Sequence, residues 1–159
     1  GRIESATLGD SIAIVRTPAG EVTVLGESSK PADEQKRAQT VMAGTLEDRL
    51  KWLQDVRAIH NTANGYWVFG VQPEAAAHIV YQSTDAPAGT QVLVMTDGYY
   101  RLVSPYGRYT DAQLIEAVIA RGLGELMREL RSLEASPEDD AKIGRFKTSD
   151  DATALLLEV

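Results

Sequence analysis

Short segments with apolar and β-branched residues, separated by turn residues, predict three β-strands in the opening part of the chain. The strands lie at residues 3–8, 12–16 and 21–25. The last two flank a segment in which Pro18 and Gly20 favour a tight turn, so we expect them to form a β-hairpin.

Strand patterns return in the middle and at the end of the chain. They cover residues 66–71, 78–82, 91–95 and 153–159. Residues 92–95 are continuously apolar, which is typical of a strand covered on both faces. We therefore expect this strand to be central in its sheet.

Apolar residues at every third or fourth position predict amphipathic helices. The clearest covers residues 46–60, with Thr45 as its N-cap. Two more follow Thr110, which has the spacing of a capping box to Gln113, and glycines at residues 122–124 separate them.

Two further segments complete the predicted organisation. Helix-forming residues at 32–44 indicate another helix, and the acidic residues 136–151 indicate a loop. Strands and helices are mixed along the chain without a repeat or a linker. The pattern predicts a single α+β domain over residues 1–159.

Composition narrows the class of function. The net charge of −7 is opposite in sign to that of a phosphate-backbone binder, so we expect no nucleic-acid partner. The longest apolar runs are far shorter than the ~20 residues of a membrane-spanning helix, so we expect no membrane partner. The chain has no cysteine, which excludes disulfides and thiolate chemistry and fits a cytoplasmic location. We expect its two histidines, His60 and His78, to be structural.

Three aspartates stand at the ends of predicted strands. Asp97-Gly98 follows the apolar strand, Asp150 precedes the last strand together with Asp151, and Asp10 follows the first strand. Mg²⁺ and Mn²⁺ prefer such oxygen ligands, so these residues are candidates for a hard-cation site. Each also has an ordinary explanation, because Asp-Gly is a strong hairpin signal and the other two positions fit solvated turns.

Taken in order, three segments resemble motifs of the metal-dependent serine/threonine protein phosphatases of the 2C type. The segments are residues 8–11 (Leu-Gly-Asp-Ser), 92–98 (Val-Leu-Val-Met-Thr-Asp-Gly) and 149–157 (Ser-Asp-Asp-Ala-Thr-Ala-Leu-Leu-Leu). Residues 66–70 and 99–103 look like bacterial members of that family. The resemblance spans most of the chain.

The resemblance implies a fold of two packed antiparallel β-sheets flanked by helices, and a helix rather than a hairpin arm at residues 99–103. It implies that Asp97 and Asp150 bind a centre of two Mg²⁺ or Mn²⁺ ions. Asp10 would lie near a further, weaker metal site, and Asp151 and Gly98 would support the ligands. The implied reaction is attack of a metal-activated water on a phosphoserine or phosphothreonine of a phosphoprotein substrate.

The N-terminal motifs of the family have no counterpart in the 159 residues. These are a phosphate-binding arginine, an acidic pair and Asp-Gly-His-Gly-Gly. The resemblance therefore implies a C-terminal part that lacks some strands, is inactive alone, and needs the N-terminal part of the same domain, whether in one polypeptide or as a separate chain. Two alternatives remain open: a pseudophosphatase or binding module with the same fold, and an unrelated α+β domain with three ordinary turns.

Overall fold

The strands and helices of this computed structural model follow the sequence pattern closely at the centre of the fold. The structure describes residues 1–26, 40–41, 44–136 and 149–159. Within these ranges the strands are β1 (Arg2–Thr7), β2 (Ile12–Arg16), β3 (Val22–Leu25), β4 (Val80–Asp85), β5 (Gln91–Met95) and β6 (Ala154–Glu158). The helices are α1 (Leu46–Ala58), α2 (Asp97–Tyr100), α3 (Asp111–Arg121) and α4 (Leu123–Glu134), with a 3₁₀ turn at Pro73–His78.

Four of the strands form one antiparallel sheet in the order β3-β2-β5-β6. The predicted hairpin of β2 and β3 is confirmed, and so is the central position of β5. Leu93 and Met95 of β5 face the helices, while Val92 packs on the opposite face with Val15 and Leu25. That opposite face is only partly covered, because Val94 remains 39% exposed. The expectation of full cover on both faces is wrong at this residue.

The other two strands, β1 and β4, form a separate antiparallel sheet. Ile3 of β1 packs against the cluster on the partly covered face of the larger sheet. The backbone N–H of Gly26, at the end of β3, donates to Oε1 of Gln82 in β4 at 2.7 Å. The fold is thus α+β with two antiparallel sheets and several helices.

Helices α3 and α4 cover the other face of the four-stranded sheet. Leu114, Ile115 and Val118 of α3 are buried there with Leu126 and Leu130 of α4. Burial of such aliphatic side chains stabilises the fold by ~1.5–3 kcal/mol each, which makes this layer the main core.

The start of α3 and the boundary between the two helices follow from local residues. Thr110 forms the predicted capping box, in which its side chain accepts from the N–H of Gln113 and the Gln113 side chain accepts from the N–H of Thr110. Gly122 ends α3 with a φ of 83°, a backbone conformation that other residues rarely adopt. The chain can therefore turn sharply between the two helices.

A polar network on the helical layer centres on Glu129 of α4. Its carboxylate accepts hydrogen bonds from Arg108 Nε, the Tyr109 hydroxyl and an Arg121 guanidinium nitrogen at 2.8–2.9 Å. Burial alone would raise the pKa of Glu129, but the hydrogen bonds from Arg108, Tyr109 and Arg121 outweigh it and lower the pKa. The network ties the loop before α3 to both helices.

Three expectations outside this core are corrected. The described residues 66–71 form no strand, since their backbone bonds locally with Asn61, which accepts from Val68 N–H and donates its own N–H to the Tyr66 carbonyl. The strand expected at residues 78–82 begins at Val80, because Pro73 opens a 3₁₀ turn that ends at His78.

The third correction concerns α1. The helix begins at Leu46 as expected, and Thr45 caps it in a capping box with Asp48. However, none of its 13 residues, all of them described, is buried, and Leu46 and Leu50 are largely exposed. The apolar stripe therefore does not form a buried face. Most of the helix expected at residues 32–44 and most of the acidic loop expected at 136–151 lie outside the described residues; of the first, residues 40–41 are described and are helical.

No helix within the described ranges is both long enough and apolar enough to cross a lipid bilayer.

Candidate functional site

The pairing register brings the three acidic segments to one end of the four-stranded sheet. Ile12 at the start of β2 is paired with Met95 at the end of β5, and Met95 is paired with Ala154 at the start of β6. Asp10 lies shortly before β2, Asp97 shortly after β5, and Asp150 and Asp151 shortly before β6. All four therefore lie at this end of the strands, which we call the acidic edge, or the edge. The turn between β2 and β3, with Gly20 at a φ of 88°, lies at the opposite end.

Hydrogen bonds of Thr96 join the segment after β5 to the segment before β6. Its backbone N–H donates to the Thr153 carbonyl at 3.0 Å, and its hydroxyl oxygen accepts from the Thr153 N–H at 3.0 Å. The same hydroxyl lies 3.4 Å from the Asp151 carbonyl oxygen. Because the sheet pairing of β5 and β6 ends at Met95 and Ala154, these bonds extend the contact toward Asp97 and Asp150.

Gly98 allows the two segments to come closer than any other residue would. A Cβ built at this position would lie 2.1 Å from the Asp151 carbonyl oxygen and 2.9 Å from the carbonyl carbon. Real Cβ atoms essentially never approach a heavy atom within 3.0 Å. The role expected for Gly98, to support the ligands, is therefore compatible with its packing against Asp151.

The chain turns into a helix at Asp97, so the hairpin explanation of Asp97-Gly98 is wrong. Residues Asp97–Tyr100 form α2, and turns continue to residue 106. The helix expected at residues 99–103 is confirmed at Tyr99 and Tyr100, and residues 101–103 form turns instead. Tyr99 of α2 is buried, and its hydroxyl donates to the Leu123 carbonyl at 3.0 Å. Burial raises the pKa of the Tyr99 hydroxyl to about 12.

The carboxylate of Asp150 contacts Arg101 and the backbone of Asp151. Its Oδ2 lies 3.5 Å from a terminal guanidinium nitrogen of Arg101, and its Oδ1 accepts from the Asp151 N–H at 3.0 Å. The Asp150 side chain is 18% exposed. Asp150 is thus placed at the sheet edge in contact with a cation of the chain itself.

Glu134, at the end of α4, is the polar residue at this edge that the sequence analysis missed. Its side chain is 2% exposed and accepts from Arg101 at 3.1 Å and from Arg131. Its position in the sequence could have indicated its burial, because Glu134 follows Leu126 and Leu130 at intervals of four on the buried line of α4. A charged residue on such a line is buried only when it is paired.

Each of the two histidines contacts an aromatic ring. The His78 ring is stacked on Trp67 with centroids 3.6 Å apart, and the His60 ring is 4.4 Å from that of Tyr66. The expectation that both histidines are structural is compatible with these ring contacts and stays a prediction.

The donor chemistry at the sheet edge fits part of a site for Mg²⁺ or Mn²⁺. Asp97 and Asp150 offer carboxylate oxygens on segments that Thr96 joins, and Mg²⁺ is commonly held by one or two carboxylates with water completing its shell. In the part of the chain that the structure describes, no three His, Cys, Asp or Glu side chains are grouped so that they could hold a metal ion. Asp10 therefore shares the edge but does not form a three-ligand group with the other two. Asp97 and Asp150 thus offer two carboxylates on joined segments, which are fewer donors than a metal ion takes as ligands.

Comparison with protein-family models, curated proteins and solved structures finds no match for this chain.

Proposed function

We propose that this chain is the C-terminal part of a metal-dependent phosphoserine and phosphothreonine phosphatase of the 2C type. The observation that carries the proposal is the joining of Thr96-Asp97-Gly98 to Asp150-Asp151 at the edge of the sheet. The proposal extends the observed α+β fold to a sandwich of two sheets between helices, completed by N-terminal strands from outside these residues.

In the proposed site Asp97 and Asp150 hold divalent cations together with ligands from the N-terminal part. When bound, two such ions would activate a water molecule for attack on the phosphoryl group of a phosphoprotein. The chain's own contribution is to fix two carboxylates on paired segments, because ligands on rigid strand ends keep their geometry. The hydrogen bonds of Thr96 and the close packing at Gly98 hold the two segments together.

Calorimetric titration of the chain with Mn²⁺ tests the metal site directly. We expect binding that Asp97→Asn and Asp150→Asn each weaken at least tenfold. Asp85→Asn is the matched control, since it removes the same charge from an exposed position on β4 in the other sheet. Binding that is unaffected by both Asn substitutions at the edge would overturn the proposed site.

Turnover tests the activity. A polypeptide that also contains the N-terminal part should hydrolyse a phosphoserine peptide in the presence of Mn²⁺, and Asp97→Asn should abolish this while far-UV circular dichroism stays unchanged. Retention of manganese-dependent turnover by the Asp97→Asn variant would contradict the assignment.

One observation favours a second candidate, a pseudophosphatase or binding module with the same fold. The guanidinium of Arg101 already provides positive charge at Asp150, which a module without a metal would need to stabilise a carboxylate at this edge. This candidate predicts normal thermal unfolding and no Mn²⁺ binding that depends on Asp97 and Asp150.

A further inference from the structure

The geometry points to a role for Arg101 in metal binding. Its guanidinium lies beside the Asp150 carboxylate, where a divalent metal ion would bind, and thereby lowers the affinity of the edge for that ion. The inference rests on the proposed metal site and specifies how that site is regulated by its own chain. It concerns the cluster of Arg101, Arg131, Glu134 and Asp150, which we name the edge cluster.

Arg101 is fixed in place from both ends. Its backbone N–H donates to the Asp97 carbonyl at 3.1 Å, so it stands one helical turn beyond the proposed ligand Asp97. One terminal nitrogen of its guanidinium donates to Glu134 at 3.1 Å, and the other lies 3.5 Å from Asp150. The side chain is 16% exposed. A guanidinium cannot lose its charge in a protein, so a positive charge stands permanently beside Asp150.

Glu134 makes this placement costly to undo. With 2% exposure, its carboxylate would be strongly destabilised if Arg101 moved away to admit a metal ion. Arg131 remains as a second partner of Glu134 and also donates to the Asp150 carbonyl oxygen at 3.0 Å. The backbone of Asp150 is therefore held independently of its own carboxylate.

Charge balance gives the direction of the effect. The edge cluster contains two arginines and two carboxylates, so its formal charge is zero without a metal ion. A divalent cation that binds Asp150 meets the repulsion of Arg101 across a short distance in a partly desolvated place, where charge interactions are stronger than in water. Removing the guanidinium charge should therefore strengthen metal binding.

The experiment is a titration with Mn²⁺ alone, read by electron paramagnetic resonance of the free ion, on the wild type and three variants. We expect Arg101→Met to bind about tenfold more tightly, a factor that corresponds to ~1.4 kcal/mol. Arg101→Lys keeps the positive charge and should bind like the wild type. Arg108→Met is the matched control, because it removes an arginine charge from a side chain that pairs with Glu129 and is 62% exposed.

The outcomes separate this inference from the proposed function. Equal or weaker binding by Arg101→Met, with binding still lost in Asp97→Asn, overturns the role of Arg101 and leaves the metal site standing. Absence of Asp97-dependent and Asp150-dependent binding in every variant overturns both. A gain shared by Arg101→Met and Arg108→Met shows a general charge effect and also overturns the role of Arg101.

A second variant covers a loss of folding. Arg101→Met leaves Glu134 with Arg131 as its guanidinium partner, and this can destabilise the chain. Arg101→Met combined with Glu134→Gln removes the buried carboxylate together with its guanidinium. We expect this double variant to unfold near the wild-type temperature and to bind Mn²⁺ more tightly than Glu134→Gln alone, in which the guanidinium of Arg101 still lies beside Asp150; equal affinity of the two folded variants contradicts the inference.

Discussion

Replacement of Gly98 by alanine tests the contact that joins the two acidic segments. The new methyl group would lie 2.1 Å from the Asp151 carbonyl oxygen and 3.4 Å from Ala152 Cα. Both neighbours are backbone atoms in a segment that Thr96 holds by hydrogen bonds, so no flexible side chain can move aside. The two segments must separate by roughly 1 Å to restore a normal contact distance.

The magnitude follows from two opposing terms. Overpacking of this kind costs ~1–3 kcal/mol. Alanine in a helix is favoured over glycine by ~1 kcal/mol, which offsets part of that cost at a position inside α2. Because the contacted atoms belong to the backbone and cannot move aside, the cost lies in the upper part of this range, ~2–3 kcal/mol. We therefore expect a net loss of about 1–2 kcal/mol in the free energy of unfolding, which lowers Tm by about 3–8 °C for a chain of this length.

Gly124→Ala is the matched control for this substitution. Gly124 also lies in a helix, but a Cβ built there has no heavy atom within 4 Å. The favourable helix term then acts alone, and we expect a gain of ~0.5–1 kcal/mol.

Thermal and urea unfolding, followed by circular dichroism, measure both variants against the wild type. The reasoning predicts opposite signs for the same chemical change at two helical glycines. If Gly98→Ala is as stable as the wild type, the backbone of Asp151 does not pack against Gly98 as described. If the variant is destabilised but binds Mn²⁺ with unchanged affinity, the contact is structural and does not position the proposed ligands.

Three further predictions concern the helical layer. Tyr99→Phe removes the hydroxyl that donates to the Leu123 carbonyl and should lower the free energy of unfolding by ~1 kcal/mol at pH 7. The pKa of Tyr99 is about 12 in the folded state and ~10 in the unfolded state, so the free energy of unfolding of the wild type should fall as the pH rises from about 10 to 12. Urea unfolding of Tyr99→Phe should not show this part of the loss. Because the pKa of Glu129 is lowered in the folded state, ionisation of Glu129 stabilises the fold above the unfolded pKa of ~4.3, and this stabilisation is lost on acidification. The free energy of unfolding should therefore decrease more from pH 5 to 3 in the wild type than in Glu129→Gln; equal decreases in urea titrations would contradict this. Thr110→Ala breaks the capping box and should lower the free energy of unfolding, measured by thermal unfolding, by ~1 kcal/mol, whereas Thr110→Ser should keep the wild-type value. Wild-type stability of Thr110→Ala would show that the cap does not stabilise the fold.

The centre of the sheet is predictable from the sequence because its signals are local and agree with one another. The bounds of β2 and β5 are predicted to the residue, since each is a short apolar run bordered by turn or polar residues. The capping box at Thr110 is predicted for the same reason, as its two residues lie within one turn. Where pattern and tertiary structure agree, the sequence alone is sufficient.

The errors arise where a pattern needs a packing or pairing partner that the described residues do not provide nearby. Residues 66–71 have strand-forming side chains, but Asn61 takes up backbone bonds that a neighbouring strand would otherwise supply. The stripe of α1 has helical spacing, but the described part of the chain buries none of its residues. Local propensity predicts the helical conformation of α1 but not its packing, and at residues 66–71 it predicts neither.

The candidate site was predictable in its aspartates and not in its cations. Asp97 and Asp150 stand at strand ends in the sequence, so the segments that carry them come together once β5 pairs with β6. The contact of Arg101 with Glu134 joins residues 33 positions apart on different elements. No local pattern encodes that distance, although the position of Glu134 on a buried helical line indicates that it needs a charged partner.

The antiparallel sheet also provides a position for a spectroscopic label at the end opposite the acidic edge. The turn between β2 and β3 lies one strand away from the acidic edge, roughly 17 Å for a strand of five residues. Ala19 in this turn is exposed, and the chain contains no cysteine. A single Ala19→Cys substitution would therefore accept one spin label or fluorophore at a defined place. Such a label would sense a paramagnetic ion at the edge through space while touching none of the residues that hold it.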